Sequence, residues 1–202
     1  MTLRVGVLSS HGGTNLQVIL DACRSNAIDA VVSIVVSNNR GSRALARARH
    51  AGVEAIVVNA ATHPEPDELD AALAGALCSH GAQVVCLAGY MKLVGPRTLA
   101  AFPNRILNIH PAPLPRFGGK GMYGLRVHEA VLAAGERTTG VTVHVIDEHY
   151  DHGPIVAQRD AIPVFADDTP SSLGTRVRAA EHDLYVTTLA QIASGDIDLD
   201  AL

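Results

Sequence analysis

The chain has 202 residues, of which 48% are hydrophobic and only 3% aromatic, with no Trp. This composition can build a sizeable core from Ala, Val, Leu and Ile, which excludes a disordered chain and is typical of parallel α/β proteins. A formal net charge of −4 is not that of a nucleic-acid-binding protein. No leader and no run of about 20 apolar residues is present, so we expect a cytoplasmic protein without nucleic-acid or membrane partners.

Short apolar runs alternate with amphipathic segments along the chain. The pattern predicts, in order, strand Leu3–Leu8, helix Leu16–Ser25, strand Ala30–Ser37, helix Ser42–Ala51, strand Val53–Val58, helix Asp67–His80, strands Gln83–Ala88 and Arg105–Ile109, helix Leu125–Ala134, strands Gly140–Ile146 and Ile155–Ile162, and helix Pro170–Ser194. The Pro- and Gly-rich stretch Pro111–Gly124 is predicted to be a loop. We expect one Rossmann-like α/β domain over residues 1–202, with a mostly parallel sheet, helices on both faces and the last two strands antiparallel.

The first loop that could bind a ligand follows the first strand and has the sequence Ser9-Ser10-His11-Gly12-Gly13-Thr14-Asn15-Leu16. Its paired glycines allow a ligand to approach the backbone, and Thr14 and Asn15 supply donors at a helix start, which suits a phosphate group. The loop lacks both the dinucleotide glycine spacing and a Walker lysine. The alternative interpretation is that Thr14 only caps the helix.

A second segment, Leu87-Ala88-Gly89-Tyr90-Met91-Lys92, leaves the strand predicted at Gln83–Ala88. Its apolar side chains could flank a flat heterocycle, because small-molecule pockets are mostly apolar with few polar anchors. The alternative is that Tyr90 and Met91 only close the end of the sheet.

The third segment, Asn108-Ile109-His110-Pro111, lies at the end of another strand. Strand alternation places Asn108 and His110 on one face, about 7 Å apart. Pro111 cannot continue a central strand, so the strand should end at His110. An amide donor beside a titratable imidazole is suited to stabilising a developing oxyanion.

The fourth segment, His144–Pro154, holds three acidic residues and three histidines within residues 144–152. His149-x-x-His152 offers metal-ligand types, but the segment reads as an irregular loop without a second ligand pair, so no metal is expected. Two interpretations remain: a solvated acidic turn, or a carboxylate that faces His110 and accepts a proton.

Together these segments resemble the folate-dependent formyltransferase family, and within it the phosphoribosylglycinamide formyltransferases, over nearly the whole chain. The resemblance rests on Asn108–Pro111 followed by Leu114-Pro115, and on the turn Asp151-x-Gly153-Pro154, seven residues past His144. It implies the formyltransferase fold and transfer of a formyl group from 10-formyltetrahydrofolate to the amine of glycinamide ribonucleotide in de novo purine biosynthesis. We expect a monomer or homodimer, and attack of an amine on a formyl carbon requires neither a covalent nucleophile nor a metal.

The resemblance also implies roles for individual residues. Asn108 and His110 would stabilise the oxyanion, and Asp151 would keep His110 oriented and charged and help to move a proton. The N-terminal half would bind the ribonucleotide and the C-terminal half would carry folate binding and catalysis. Substrate contacts would come from Gly13, Thr14 and Asn15 to the phosphate, Arg178 to the phosphate and Glu181 to the ribose. Folate contacts would come from Leu87, Tyr90, Met91, Lys92, Leu93, His144 and Asp147.

The loop Phe117–Gly124 is longer than in related enzymes, and its glycines favour a mobile lid. Two other functions stay open. A formyltetrahydrofolate hydrolase would release the formyl group to water, and a non-catalytic Rossmann-like binding module would not depend on His110 or Asp151. A formyltransferase acting on transfer RNA would need an additional RNA-binding domain.

Overall fold

The computed structural model describes residues 2–202, in which strands and helices alternate over most of the chain. The strands are β1 (Leu3–Leu8), β2 (Ala30–Ser37), β3 (Ala55–Val57), β4 (Val84–Leu87), β5 (Ile106–His110), β6 (Thr138–Val145) and β7 (Ile155–Pro163). The helices are α1 (Thr14–Arg24), α2 (Arg43–His50), α3 (Pro66–Ser79), α4 (Pro96–Ala101), α5 (Leu125–Ala133) and α6 (Pro170–Ser194). Within residues 2–202, no helix combines the length and apolar character needed to cross a membrane.

The strands form a mostly parallel sheet in the order β3-β2-β1-β4-β5-β6-β7. Strand β1 pairs in parallel with β2 and β4, and β2 pairs in parallel with β3. Strands β6 and β7 are antiparallel, as expected for two strands joined by a short turn. The predicted α/β fold with a mostly parallel sheet is therefore confirmed.

The described residues fall into two compact units: one runs to Leu107 and includes Leu189–Leu202, and the other is Asn108–Thr188. In the first unit, β4 and most apolar residues of β1 and β2 are buried, with Val31 of β2 as a 40% exposed exception, as is usual for central parallel strands. In the second unit, Val141 and Val143 of β6 are fully buried, as are Val127 of α5 and Leu173 of α6.

Two departures from the predicted elements have physical causes. Helix α4 was not predicted because its N-terminal amides are capped from a distant helix: the Asp70 carboxylate accepts hydrogen bonds from Arg97 N at 2.7 Å and Thr98 N at 3.2 Å. Helix α1 begins at Thr14, with Gly13 as its N-cap in the left-handed conformation and no side-chain capping hydrogen bond. The alternative that Thr14 only caps this helix is therefore wrong.

Candidate active site

The catalytic residues predicted from sequence lie together in the unit Asn108–Thr188. One carboxylate oxygen of Asp151, Oδ2, is 3.5 Å from His110 Nδ1, and the other, Oδ1, is 3.6 Å from His144 Nε2. The side chains of His110, His144 and Asp151 are 3%, 1% and 11% exposed. His110 is the last residue of β5, as Pro111 predicts, and Asp151 lies in the β6–β7 connection. The carboxylate is thus positioned between two buried imidazoles.

Asn108 is oriented by His144. The Asn108 Nδ2 and His144 Nε2 atoms are 3.1 Å apart, and His144 Nδ1 is 2.9 Å from the Val145 carbonyl oxygen. Because that carbonyl can only accept, Nδ1 carries a hydrogen, and when the ring is neutral its Nε2 accepts from the Asn108 amide. The amide has a second N–H, so the contact leaves one donor of Asn108 available for a reacting oxygen.

His110 is held at its other ring nitrogen by the loop that follows β5. Its Nε2 donates to the Phe117 carbonyl oxygen at 2.8 Å, and the Gly119 amide donates to Asp151 Oδ2 at 2.9 Å. A Cβ at Gly118 would lie 2.5 Å from Leu114 Cδ2 and 3.2 Å from Asp151 Cβ. The beginning of the long glycine-rich loop is therefore anchored on the predicted catalytic residues His110 and Asp151. The Phe117 carbonyl and the Gly119 amide are backbone groups that almost any residue would supply, so the sequence does not indicate their role.

The backbone around Asp151 requires a special local geometry. Asp151 has φ of 56°, a left-handed conformation that aspartate tolerates better than most side chains. Two residues later, a Cβ at Gly153 would lie 2.0 Å from the Val145 carbonyl oxygen. Gly153 thus allows the connection to pack against the end of β6 while Asp151 faces the two histidines.

Burial and the neighbouring charges shift the pKa values of both His110 and Asp151. Burial lowers the pKa of His110, although the negative charge of Asp151 and the Phe117 carbonyl oppose this effect. Burial tends to raise the pKa of Asp151, but the His144 contact, the charge of His110 and the Gly119 amide outweigh it, and the pKa is lowered. The lowered pKa of Asp151 favours its ionised form, and the lowered pKa of His110 favours a neutral ring in the free protein.

The predicted phosphate loop lies at the start of α1, in the first unit. Gly13 has φ of 65° and ψ of 37°. The Asn15 Oδ1 atom is buried without a hydrogen-bond partner. Because the first turn of a helix has amides without intrahelical acceptors, this start can bind an anion.

The segment after β4 presents apolar side chains outward. Met91 is 42% exposed and Leu93 is 59% exposed, so Met91 does not close the end of the sheet. Tyr90 is partly buried, and burial together with the nearby charge of Asp70 raises its pKa to about 12. Leu87 is buried and Lys92 is exposed. The Met91 amide donates to Ser10 Oγ at 2.8 Å, which fixes the course of this loop.

Arg178 and Glu181 lie on α6 near two histidines. Burial raises the pKa of Glu181 to about 7, against the effect of the Arg178 charge. Burial also lowers the pKa of His128 and His182, and Arg178 adds to both effects. The His128 Nδ1 and His182 Nε2 atoms are buried without a hydrogen-bond partner. This region therefore has polar atoms to offer a ligand, unlike an ordinary solvated helix surface.

Comparison with known proteins decides the family. A model of the formyl transferase family matches residues 3–189. This chain belongs to the formyl transferase family. The match includes every residue for which the sequence predicts a catalytic or binding role.

Several individual formyl transferases are similar over nearly the whole chain. Phosphoribosylglycinamide formyltransferase of Escherichia coli K12 is 33% identical, covering 98% of this chain and 90% of that protein. The chloroplastic enzyme of Arabidopsis thaliana is 42% identical over 94% of this chain, which spans only 65% of that relative's length. The solved structure of glycinamide ribonucleotide transformylase 1 from Symbiobacterium toebii has a TM-score of 0.89 at 43% identity, covering 96% of this chain and 89% of that one.

A cluster of side chains in the β6–β7 connection could hold a metal ion. Ligand atoms of Asp147, His149 and His152 lie within 4.8 Å of one another in the β6–β7 connection. They already interact with each other: His152 Nδ1 is 2.9 Å from Asp147 Oδ2, and the His149 amide donates to Asp147 Oδ1 at 2.7 Å. The sequence predicts that no metal is needed, and this stays a prediction.

Proposed function

We propose that this chain transfers the formyl group of 10-formyltetrahydrofolate to the amine of glycinamide ribonucleotide, a step of de novo purine biosynthesis. The observation that carries the proposal is the cluster of Asn108, His110, His144 and Asp151 in a chain of the formyl transferase family. The relative from Escherichia coli is named a phosphoribosylglycinamide formyltransferase, and the structure from Symbiobacterium toebii is named a glycinamide ribonucleotide transformylase.

Attack of the substrate amine on the formyl carbon makes a C–N bond and places negative charge on the formyl oxygen. The second N–H of the Asn108 amide is available to donate to this oxyanion, because His144 occupies only one. His110 supports the same charge from close by. A negative oxygen beside the ring favours its protonation, which offsets the burial that lowers the pKa of His110 in the free protein.

The attacking nitrogen must then lose a proton, and N10 of the folate must gain one as its bond to the formyl carbon breaks. Asp151 is ionised and can accept the proton, directly or through a water molecule. The neutral His110 ring turns Nδ1 toward Asp151, so a proton taken up there is held by the carboxylate. As the oxyanion collapses to a carbonyl and N10 is protonated, the bond between the formyl carbon and N10 breaks, which releases tetrahydrofolate and leaves the substrate amine as a formamide.

Substrate recognition in this proposal uses the remaining predicted residues. Gly13, Thr14 and Asn15 at the start of α1 bind the phosphate. Arg178 and Glu181 contact the phosphate and the ribose, which fits their place beside buried polar atoms without partners. The exposed apolar faces of Met91 and Leu93 suit a pterin ring. The proposed folate contacts are Leu87, Tyr90, Met91, Lys92, Leu93, His144 and Asp147.

The proposal treats residues 1–202 as one formyltransferase domain. Its catalytic residues lie in the C-terminal half, whereas the proposed ribonucleotide and folate contacts come from both halves. In this proposal the protein acts on small molecules as a monomer or homodimer and requires neither nucleic acid nor a metal. A cytoplasmic location stays a prediction, and the Arabidopsis relative is named as chloroplastic.

The test is formyl transfer in vitro, followed by the absorbance change as 10-formyltetrahydrofolate is consumed in the presence of glycinamide ribonucleotide. The variants Asp151→Asn and His110→Ala are measured beside the wild type. Turnover that requires the ribonucleotide and is lost in both variants supports the proposal. Consumption of folate without the ribonucleotide points instead to the hydrolase, and no consumption points to a binding module.

A further inference from the structure

Helix α2 donates hydrogen bonds to the backbone of the loop between β1 and α1. Arg47 of α2 donates from Nε to the Gly12 carbonyl oxygen at 2.9 Å, and from a terminal guanidinium nitrogen to Gln17 Oε1 at 2.7 Å. Gln17 lies in α1, and its backbone amide donates to the Gly13 carbonyl oxygen at 2.9 Å. One half-buried guanidinium thus connects the loop to the helix that the loop begins.

A second connection lies one residue earlier in the loop. The His11 carbonyl oxygen accepts from Ser42 Oγ at 2.9 Å and from the Ala44 amide at 3.1 Å. Helix α2 also packs directly on Gly13, because a Cβ there would lie 2.8 Å from Ala44 Cβ and 2.9 Å from Ala44 Cα. The loop is therefore seated on the start of α2 and needs glycine at its point of contact.

These contacts determine which way the loop amides point. In a trans peptide the C=O and the following N–H point in opposite directions. With the carbonyls of His11 and Gly12 turned toward α2, the amides of Gly12 and Gly13 point away from it. The amides of Gly12 and Gly13 then lie on the same side of the loop, and Gly13, in the left-handed conformation, leads directly into α1. Such an arrangement of backbone amides at a helix start binds anions.

We propose that Arg47 is a positioning residue for the substrate phosphate. It holds the Gly12 carbonyl away from the anion and fixes the loop to α1, so that the loop amides are arranged before the ligand arrives. This inference rests on the proposed function, because it requires a phosphorylated substrate at the loop. Arginine suits the role because its rigid planar fork donates in two fixed directions at once, whereas lysine carries only a point charge.

The experiment compares two substrates, glycinamide ribonucleotide and its dephosphorylated riboside, at saturating 10-formyltetrahydrofolate. In Arg47→Met the KM for the ribonucleotide should rise about tenfold, as expected when roughly one charge-assisted hydrogen bond is weakened. The kcat should change little, and kcat/KM for the riboside should stay near that of the wild type. Arg49→Met is the matched control, since Arg49 is an exposed arginine of α2 whose guanidinium donates to Ala55 O at 3.5 Å.

Two further variants distinguish a loss of phosphate binding from a general loss of folding. Arg47→Lys retains the charge without the two-directional contact, so its KM for the ribonucleotide should remain raised. Gln17→Ala removes the acceptor on α1, and its KM should rise by a smaller factor. Equal losses with both substrates would mean that Arg47 only stabilises the fold, and a wild-type KM in Arg47→Lys would mean that charge alone matters; either result overturns the inference.

The wild-type measurements separate this inference from the proposed function. A wild type that turns over neither substrate, or does not distinguish them, overturns the proposed function and the inference with it. A wild type that prefers the ribonucleotide, together with an unchanged KM in Arg47→Met, overturns the inference alone.

Discussion

The Asp151 carboxylate lies 3.5 Å from Nδ1 of His110, slightly beyond hydrogen-bond length. The other ring nitrogen donates to the Phe117 carbonyl oxygen, so in the neutral ring the Nδ1 lone pair faces a negative carboxylate. The pair therefore has a vacant proton position between two acceptors. Uptake of one proton there would convert a repulsive contact into a charge-assisted hydrogen bond.

This relationship predicts how His110 titrates. The charge of Asp151 raises the pKa of His110 against the effect of burial, so Asp151→Asn should lower that pKa further below its ordinary value of about 6.5. The measurement is an NMR titration of the imidazole carbon–proton resonances. Asp160→Asn, a change at an exposed aspartate of β7, is the control and should leave the titration unchanged. A rise in the His110 pKa in Asp151→Asn would contradict this account.

A second prediction distinguishes two roles for His144. The resemblance implies a folate contact, whereas the structure places its ring against the Asn108 amide. If orientation of Asn108 is its role, His144→Gln should lower kcat by roughly 10- to 100-fold, less than the loss of an oxyanion donor itself, with little change in the KM for folate. Steady-state kinetics with each substrate varied in turn is the measurement. A raised KM for folate with kcat unchanged would favour the direct contact.

The sequence predicts most of the fold because its signals there are local. Continuous apolar runs predict the bounds of β1 and β2 correctly, and the amphipathic pattern predicts both ends of α6 correctly. Helix α4 escapes prediction because Asp70, from another helix, supplies its cap. In the site, Asn108, His110 and Asp151 have recognisable side chains and could be chosen from sequence. The contributions of Arg47 and of the Gly119 amide depend on tertiary placement alone, so the sequence carries no sign of them.

Gly153 provides a test of the backbone at the site. In Gly153→Ala the new Cβ would meet the Val145 carbonyl oxygen at 2.0 Å, so the β6–β7 connection must shift and carry Asp151 away from His110. We expect a loss of activity and a destabilisation of about 1–3 kcal/mol, typical of steric overpacking. The control is Gly75→Ala in α3, where a Cβ meets nothing within 4 Å.

Because alanine is the better helix former, Gly75→Ala should stabilise the protein by about 0.5–1 kcal/mol and leave kinetics unchanged. Thermal or urea unfolding of both variants gives the comparison. Full activity in Gly153→Ala would show that the connection adapts without moving Asp151.

A chelator experiment tests the expectation that no metal is required. The proposed chemistry uses only the amide, imidazole and carboxylate groups of Asn108, His110 and Asp151. Extended treatment with EDTA or phenanthroline should therefore leave kcat within experimental error of the untreated enzyme. The variant His149→Ala, which removes one potential ligand of the cluster with Asp147 and His152, should behave like the wild type. Activity lost to the chelator and restored by zinc would contradict the metal-free mechanism.

The last prediction concerns pH and stability. The pKa of Glu181 is raised from 4.5 to about 7 by burial, so the folded protein holds this proton more tightly than the unfolded chain does. Its contribution to the free energy of unfolding is complete below pH 4.5 and is lost as the pH rises through about 7. The lowered pKa values of His110, His128 and His182 act in the opposite direction. Their contribution is complete above about pH 6.5 and is lost as the pH falls through their folded-state values.

Replacing Glu181 with glutamine separates these opposing effects. In Glu181→Gln the loss of stability between pH 4.5 and 7 should disappear, a difference of at most about 3 kcal/mol between acidic and neutral conditions. The groups with lowered pKa values, the histidines and aspartates such as Asp151, would remain, so the stability of the variant should rise steadily with pH through this range. Urea unfolding at several pH values measures the effect, and Glu129→Gln, at an exposed glutamate of α5, is the control. Parallel profiles for Glu181→Gln and the wild type would mean that Glu181 is ionised in the folded protein well below pH 7, and that Arg178 or solvent compensates its burial.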